Sequence, residues 1–544
     1  MPAINNPDRH PSGITMSPDS NHPRITHAPY FMAVKRDGRW ETSGQAAAEC
    51  GHRLPSANHD VDDGIFASWR WDGVHLVVHN DRYGLHPLFW FQPPDGGIAI
   101  STSPIRLLEL GASPALNTEA LAVFFRLGSF AGDDTPFSAI KAVPPHAVFT
   151  WENGKLACHG RYPPTPKATQ ASRDDAIDAY IALFARSMEK RAPEPGNFAV
   201  PVSGGRDCRH ILLELHRTGR PPALCVSARD NPPYPNQDPE IARLLCRELG
   251  FRHVVIDQQL SLLAAQLRKN RETGFCASAH GWYIALADFL NGRFEGVYDG
   301  IAGDVWSQSV FLDPHLASAF RERDPRTVAI ALLEKHAASY SGLSRVLSGR
   351  LNKATDPEIA IHRIAREVEK HLDMPNPVAS FSFWNRTRRM IALAPYGLLK
   401  GIPQVHAPYL DHDLFDFMTT LPIGMLMDRT FHTDAIARAY PAFAHIPYAN
   451  HKTAAPTDDT HARARFLAEA THRFLLRRPS PLLNNVMPRA KLLAGMLTRG
   501  HVHPCISPLV IYLDQIDSMI RDLRKRTSLR EVLADDVQDR DSTR

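Results

Sequence analysis

No run of 18 or more apolar residues occurs in the 544-residue chain, so no membrane-spanning helix is expected. Net charge is also scarce. A formal +4 over this length gives no reason to expect nucleic acid or a membrane surface as a partner. There is no Cys-x-x-Cys pair. The seven cysteines (Cys50, Cys158, Cys208, Cys225, Cys246, Cys276 and Cys505) stand far apart and are odd in number. That pattern suits free thiols in a reducing cytosol. The run His501, His503 and Cys505 has no second cluster to complete four zinc ligands, and it reads as a loop. Residues 1–27 lack the apolar core of a signal peptide; rich in Pro, Asn, Ser and His, they read as a disordered arm. What is present is an ordinary hydrophobic share, 43%, and length enough for two to four domains.

From Tyr30 to Thr150 the pattern is mostly strands. Phe31 to Val34, Ile65 to Trp71, Val74 to His79, Pro87 to Phe91, Gly97 to Thr102 and Ala147 to Trp151 are short apolar or alternating runs. Turns such as Asp72-Gly73 and Asp95-Gly96-Gly97 separate them, and Thr118 to Leu127 reads as a helix. Tyr162 to Thr169 is Pro-rich and polar, as in a linker. The rhythm then changes to helix Asp174 to Lys190, strand Phe198 to Val202, helix Arg209 to Arg217, strand Ala223 to Ser227, helix Pro239 to Leu249, strand His253 to Asp257 and strand Gly296 to Tyr298. That alternation points to a parallel sheet covered by helices. Pro201 is awkward inside a strand, because it cannot donate to a ladder. From Asp356 the chain reads as mainly helical, ending in a charged, disordered tail.

The chemistry concentrates at Val202-Ser203-Gly204-Gly205-Arg206-Asp207-Cys208, between a strand and a helix. Glycines there let backbone approach an anion, and the N–H groups of a helix start bind phosphate. Asp207 is placed to hold a magnesium ion that bridges phosphate oxygens. No Gly-Lys-Ser follows, so the loop is not of the Walker kind.

Ser203 to Cys208 resembles the pyrophosphate loop of the asparagine synthetase and beta-lactam synthetase superfamily, Ser-Gly-Gly-x-Asp-Ser, with Cys208 in place of the last serine. Asp299-Gly300-Ile301-Ala302-Gly303-Asp304 resembles that family's second nucleotide loop. Pro408-Tyr409-Leu410-Asp411 resembles its Pro-Phe-Leu-Asp, and Lys452 stands where the family keeps a late catalytic lysine. Asp63-Gly64-Ile65-Phe66-Ala67 and Asp81-Arg82-Tyr83-Gly84-Leu85-His86-Pro87-Leu88 resemble motifs of its N-terminal domain. The resemblance spans roughly Tyr30 to Pro456. It implies an N-terminal Ntn-hydrolase-like antiparallel sandwich domain at 28–165. A parallel α/β pyrophosphate-loop synthetase domain with a helical extension follows at 170–515, and a charged tail at 516–544. It implies ATP and Mg2+ as reaction partners and a carboxylate substrate, small molecule or peptide. Val202, Ser203, Gly204, Gly205, Asp207, Cys208, Val226, Asp299 and Gly300 are then expected around the nucleotide, with Val226 either on the adenine or in the core. Asp207 and Asp304 are expected on the metal, and Lys452, Asp207 and Asp304 in catalysis.

The departures are specific. Glutamine-dependent members carry a nucleophilic cysteine directly after the initiator methionine, whereas this chain begins Met1-Pro2-Ala3 and its first cysteine is Cys50. The N-terminal domain is therefore expected to be a scaffold that does not split glutamine. Ile301 and Gln404 replace the family's proton-handling residues. Lasso-peptide cyclases, which also lack the glutaminase cysteine, offer a related precedent. The expected activity is formation of an amide from an adenylated carboxylate and an amine or ammonia; the alternatives are asparagine synthesis from aspartate and a catalytically degenerate nucleotide-binding regulatory protein.

Overall fold

The computed structural model describes residues 28–54, 62–229, 237–336, 343–449, 460–475, 478–484 and 508–541. The N-terminal part consists of β1 (Tyr30–Arg36), β2 (Arg39–Gly44), β3 (Ala47–Leu54), β4 (Asp63–Trp71), β5 (His75–Asn80), β6 (Phe89–Phe91), β7 (Ile98–Ser101), α1 (Pro104–Glu109), α2 (Thr118–Leu127), β8 (Lys141–Ala142), β9 (Val148–Glu152) and β10 (Lys155–His159). Its strands form two antiparallel five-stranded sheets, ordered β2-β1-β7-β6-β8 and β10-β9-β5-β4-β3. Phe31, Ala67, Trp69, Leu76, Val78, Ile100 and Trp151 fill the space between them. The alternation along β1 and β9 puts these side chains on one face, as period-two packing requires.

The second part consists of α3 (Arg173–Lys190), β11 (Phe198–Pro201), α4 (Asp207–Arg217), β12 (Leu224–Arg229), α5 (Gln237–Leu249), β13 (His253–Asp257), α6 (Leu262–Glu272), α7 (Tyr283–Leu290), β14 (Gly296–Tyr298), α8 (Gly303–Ser307) and β15 (Gln404–His406). Its sheet is wholly parallel, in the order β13-β12-β11-β14-β15. The expected two-part α/β architecture is thus what the chain adopts. Pro201 is tolerated because it is the last residue of β11, where the ladder ends. The strand order runs one way from β11 to β13 and the other way through β14 to β15. The crevice at such a reversal lies between the loops that leave β11 and β14.

The two parts are bolted together by buried charge. Arg191, which ends α3, donates to both Asp63 oxygens at 2.5 and 2.6 Å and to Asp411 at 2.9 Å. The aspartates of two family-like motifs are therefore structural here. Asp81 likewise accepts from the N–H groups of Tyr83, Leu85 and His86, fixing a turn.

The helix Pro508–Asp541 agrees with the mainly helical reading after Asp356 and runs on into the last 15 or so residues, where a disordered tail was expected. Its opening residues carry an apolar face, and Val510, Tyr512, Leu513 and Ile516 are buried with Phe124 and Phe275. That apolar stripe outweighs the charge of the later residues. No helix of the described residues is long and apolar enough to cross a membrane.

Candidate functional site

The loops leaving β11 and β14 interlock at the crevice. An added Cβ on Gly300 would lie 2.6 Å from Asp207 Cβ, and one on Gly303 would lie 2.7 Å from Asp207 Oδ1. Only glycine lets the second loop close over the Asp207 carboxylate. Asp304 N–H donates to Asp207 Oδ2 at 3.3 Å, which ties the starts of α4 and α8 together. Gly303→Ala is therefore expected to displace Asp207 and lower turnover by about 100-fold, since a misplacement near 1 Å at a reacting site costs that much. Circular dichroism and kinetics on the purified variant check this; full activity would mean that the close contact has no function.

Both carboxylates sit in a hostile field. Burial, and then the neighbouring charge of Asp304, push Asp207 well above its ordinary acidity range. Burial also raises Asp304, against the opposing charge of Arg386. Asp207 Oδ1 is buried without a hydrogen-bond partner. His432 Nδ1 stands 3.5 Å from that oxygen, but burial and then Arg206 push this imidazole down to about 3, so it is neutral. Two crowded carboxylates and an orphaned oxygen fit a hard divalent cation that takes its remaining ligands from phosphate and water. Among the described residues no cluster of three or more His, Cys, Asp or Glu side chains could hold a metal, which leaves no all-protein cage.

The loop's donors divide into two sets. Ser203 N–H points at Cys208 Sγ at 3.3 Å, Gly204 N–H donates to Asp238 at 2.7 Å, and Gly205 N–H to Ser203 Oγ at 3.1 Å. The Cys208 thiol, pushed up to about 11 by burial, thus closes the loop. Intrahelical bonding in α4 starts only with His210 N–H to Arg206. The N–H groups of Asp207, Cys208 and Arg209 head the helix, where an anion binds best. Val202 and Val226 belong to the core: Val202 N–H donates to the Val226 carbonyl, and both side chains are buried. Asp299 shapes its own loop, accepting from Ile301 N–H at 2.8 Å, and burial raises it to about 6. Ile301 is buried, whereas Gln404 is exposed at the opposite end of β15 from Asp299.

Arg209 is 2% exposed. It holds the carbonyls of Ile446 and Pro447 and lies 3.8 Å from the Tyr448 ring centre. Ala449 N–H then donates to the Gly204 carbonyl at 3.0 Å. Lys452 lies outside the described residues, three positions beyond Ala449. His432 and Arg386 carried no sequence signal, because both reach the crevice only through the fold.

A separate cavity of about 700 Å³ opens between β3 and the stretch from Leu393 to Val405, lined by Cys50, His52 and His86 among others. Burial, then Glu49, pushes the Cys50 thiol up to about 11, which leaves it protonated and inert at neutral pH. Cys50→Ser should therefore leave turnover within about twofold, and brief iodoacetamide treatment at pH 7.5 should leave Cys50 unlabelled in peptide maps.

Comparison with known proteins adds two findings. Residues 46–162, which include the Cys50 cavity wall, match a family model described as a glutamine amidotransferase domain. None of the curated proteins matches the sequence. Among solved structures, the NMN synthetase from Francisella tularensis aligns at 14% identity over 40% of this chain and 93% of its own, with a TM-score of 0.18. The chain is therefore similar, over its N-terminal sheets, to glutamine amidotransferase domains.

Proposed function

We propose that the chain is an ATP- and Mg2+-dependent amide-forming ligase of the asparagine synthase type. Its substrate is a carboxylate, and its nitrogen donor is a substrate amine or free ammonia, as in lasso-peptide cyclases. The observation that carries this reading is the crowded Asp207–Asp304 pair at the head of α4, with one oxygen left unsatisfied. The amidotransferase-like N-terminal segment supports it from another direction.

The chain's own groups divide the work. The N–H groups at the start of α4 orient the phosphates, and the helix dipole favours their charge. Asp207 and Asp304 would hold magnesium, which supplies charge neutralisation on the phosphates when bound. The substrate carboxylate attacks the α-phosphate, giving an acyl-adenylate and pyrophosphate. The amine then attacks the acyl carbonyl, and AMP leaves with the bonding electrons of the mixed anhydride. Lys452 is proposed to stabilise the negative charge that develops in both steps. The N-terminal domain acts as a scaffold, because its only thiol at the cavity, Cys50, is protonated and lacks a free amine as base.

The test is to incubate the protein with ATP, magnesium and a fractionated extract of small molecules and peptides, and to measure AMP and pyrophosphate. Extract-dependent AMP release is expected. No AMP and no nucleotide binding would overturn the ligase and leave a regulatory binding protein as the better account.

A further inference from the structure

A pair of buried imidazoles joins the two helices that carry the carboxylates. His210 stands three residues beyond Asp207 in α4, and Ser307 three residues beyond Asp304 at the end of α8. That spacing places each on the helix face of its aspartate. His432, from the separate helix Phe431–Ala439, reaches both: its Nδ1 lies 2.9 Å from Ser307 Oγ and its Nε2 lies 3.2 Å from His210 Nδ1. All three side chains are completely buried. The direct tie between the helices, from Asp304 N–H to Asp207 Oδ2, is long at 3.3 Å.

The protons of this chain of groups can be placed. The Ser307 hydroxyl donates its one proton to the Gly303 carbonyl at 2.6 Å, so its oxygen accepts from His432 Nδ1–H. His432 Nε2 is then the acceptor, and His210 Nδ1–H donates to it. His210 Nε2 is left as a buried lone pair with no partner. An orphaned nitrogen costs stability, so stability alone does not account for the chain. What a buried polar chain supplies is one rigid arrangement of the elements it joins. Phe184 stacks on the His210 ring at 3.6 Å between centres, and the Tyr409 hydroxyl donates to the Asp207 carbonyl at 3.1 Å. His432 Nδ1 also stands 3.5 Å from Asp207 Oδ1, past the usual range of an N–H···O bond. The ring therefore walls in that oxygen and leaves its lone pairs for a cation.

Cation size is what a fixed spacing decides. Magnesium holds oxygens at about 2.1 Å in a near-octahedral set, whereas calcium takes them at about 2.4 Å in a looser one. Two carboxylates on helices that cannot separate favour the smaller ion. We propose that His432 is a positioning residue: it clamps α4 to α8 through His210 and Ser307, holds Asp207 and Asp304 at one spacing, and so makes the pair select magnesium over calcium. This role rests on the ligase reading, in which the pair holds the cation.

The test is displacement of Mn2+ by Mg2+ and by Ca2+ from the full chain holding α,β-methylene-ATP, read by electron paramagnetic resonance. Wild type is expected to prefer magnesium. His432→Leu should weaken magnesium about tenfold, as loss of an outer partner of a metal ligand commonly does, and calcium by less than about twofold. Ser307→Ala and His210→Phe each open one arm of the clamp and should lower the magnesium-to-calcium preference by at least about threefold. Combining them should add little, because a clamp opened at one arm is already open. Should His432→Leu fail to fold, Ser307→Ala, which removes one hydroxyl, carries the test. A wild type indifferent between the two ions, or a folded variant that weakens both alike or neither, overturns the clamp and leaves the ligase intact. Wild type that binds no Mn2+ beyond what the free analogue holds overturns the cation site and this role together.

Discussion

Asp207→Asn should leave a folded chain that releases AMP about a thousandfold more slowly, since the charge stabilisation a bound divalent cation provides is of order 4 kcal/mol. Asparagine has the same shape, so it still fits under Gly300 and Gly303, where an added carbon would not. It removes only the charge. The free protein pays for Asp207 in electrostatic terms, because burial and the Asp304 charge both oppose its ionisation. The variant should therefore also melt at a higher temperature than wild type when magnesium is chelated. Loss of turnover combined with a gain in stability is the signature of a carboxylate kept for function. Retained turnover within tenfold would show that the pair does not hold the cation.

Arg191→Leu should cost about 3–5 kcal/mol of stability, because it leaves Asp63 buried without a cationic partner and Asp411 with Lys190 alone. Asp63 and Asp411 are 5% and 1% exposed, so water cannot replace the guanidinium. Lys190 reaches Asp411 at 2.9 Å but is not paired with Asp63. The loss should fall on the junction between the two parts, so urea unfolding is expected to separate into two transitions. Adding Asp63→Asn and Asp411→Asn to Arg191→Leu should recover part of the loss, since the stranded charges go while the Asp411 cap on Leu414 N–H is preserved. A single-variant loss below about 1 kcal/mol would place the pair among weakly coupled surface charges.

The parallel core was readable in advance because its strands are short apolar runs closed by turns or helices; Gly296–Tyr298 and His253–Asp257 stand where the residue pattern puts them. β2 and β3 escaped, since Arg39–Gly44 is almost wholly exposed and Ala47–Leu54 only half-buried, which erases the apolar alternation. The glycine loop was legible for a local reason: consecutive residues build it. Arg386 and His432 were not. They come from a π-helical turn and a late helix, and only the packing of those elements brings His432 to Asp207 and the charge of Arg386 to bear on Asp304. Arg209, beside the phosphate loop in sequence, is a bracket for backbone carbonyls, a role only the fold shows. The end of the C-terminal helix was read as a disordered tail because charge dominates its sequence, whereas the apolar residues that pack lie earlier, from Leu509 to Leu523 among the described side chains.

That last helix bears on how the molecule is made. The rings of Phe124 and Tyr512 lie 4.9 Å apart, although the two residues are far apart in the sequence. At ordinary rates of synthesis, tens of seconds pass between their emergence from the ribosome. Throughout that interval the core around Phe124 lacks the apolar residues Val510, Tyr512, Leu513 and Ile516 that complete it. A chain that ends before Pro508 is therefore expected to expose apolar surface around Phe124 and to aggregate more readily than the full chain, which light scattering of the truncated protein checks.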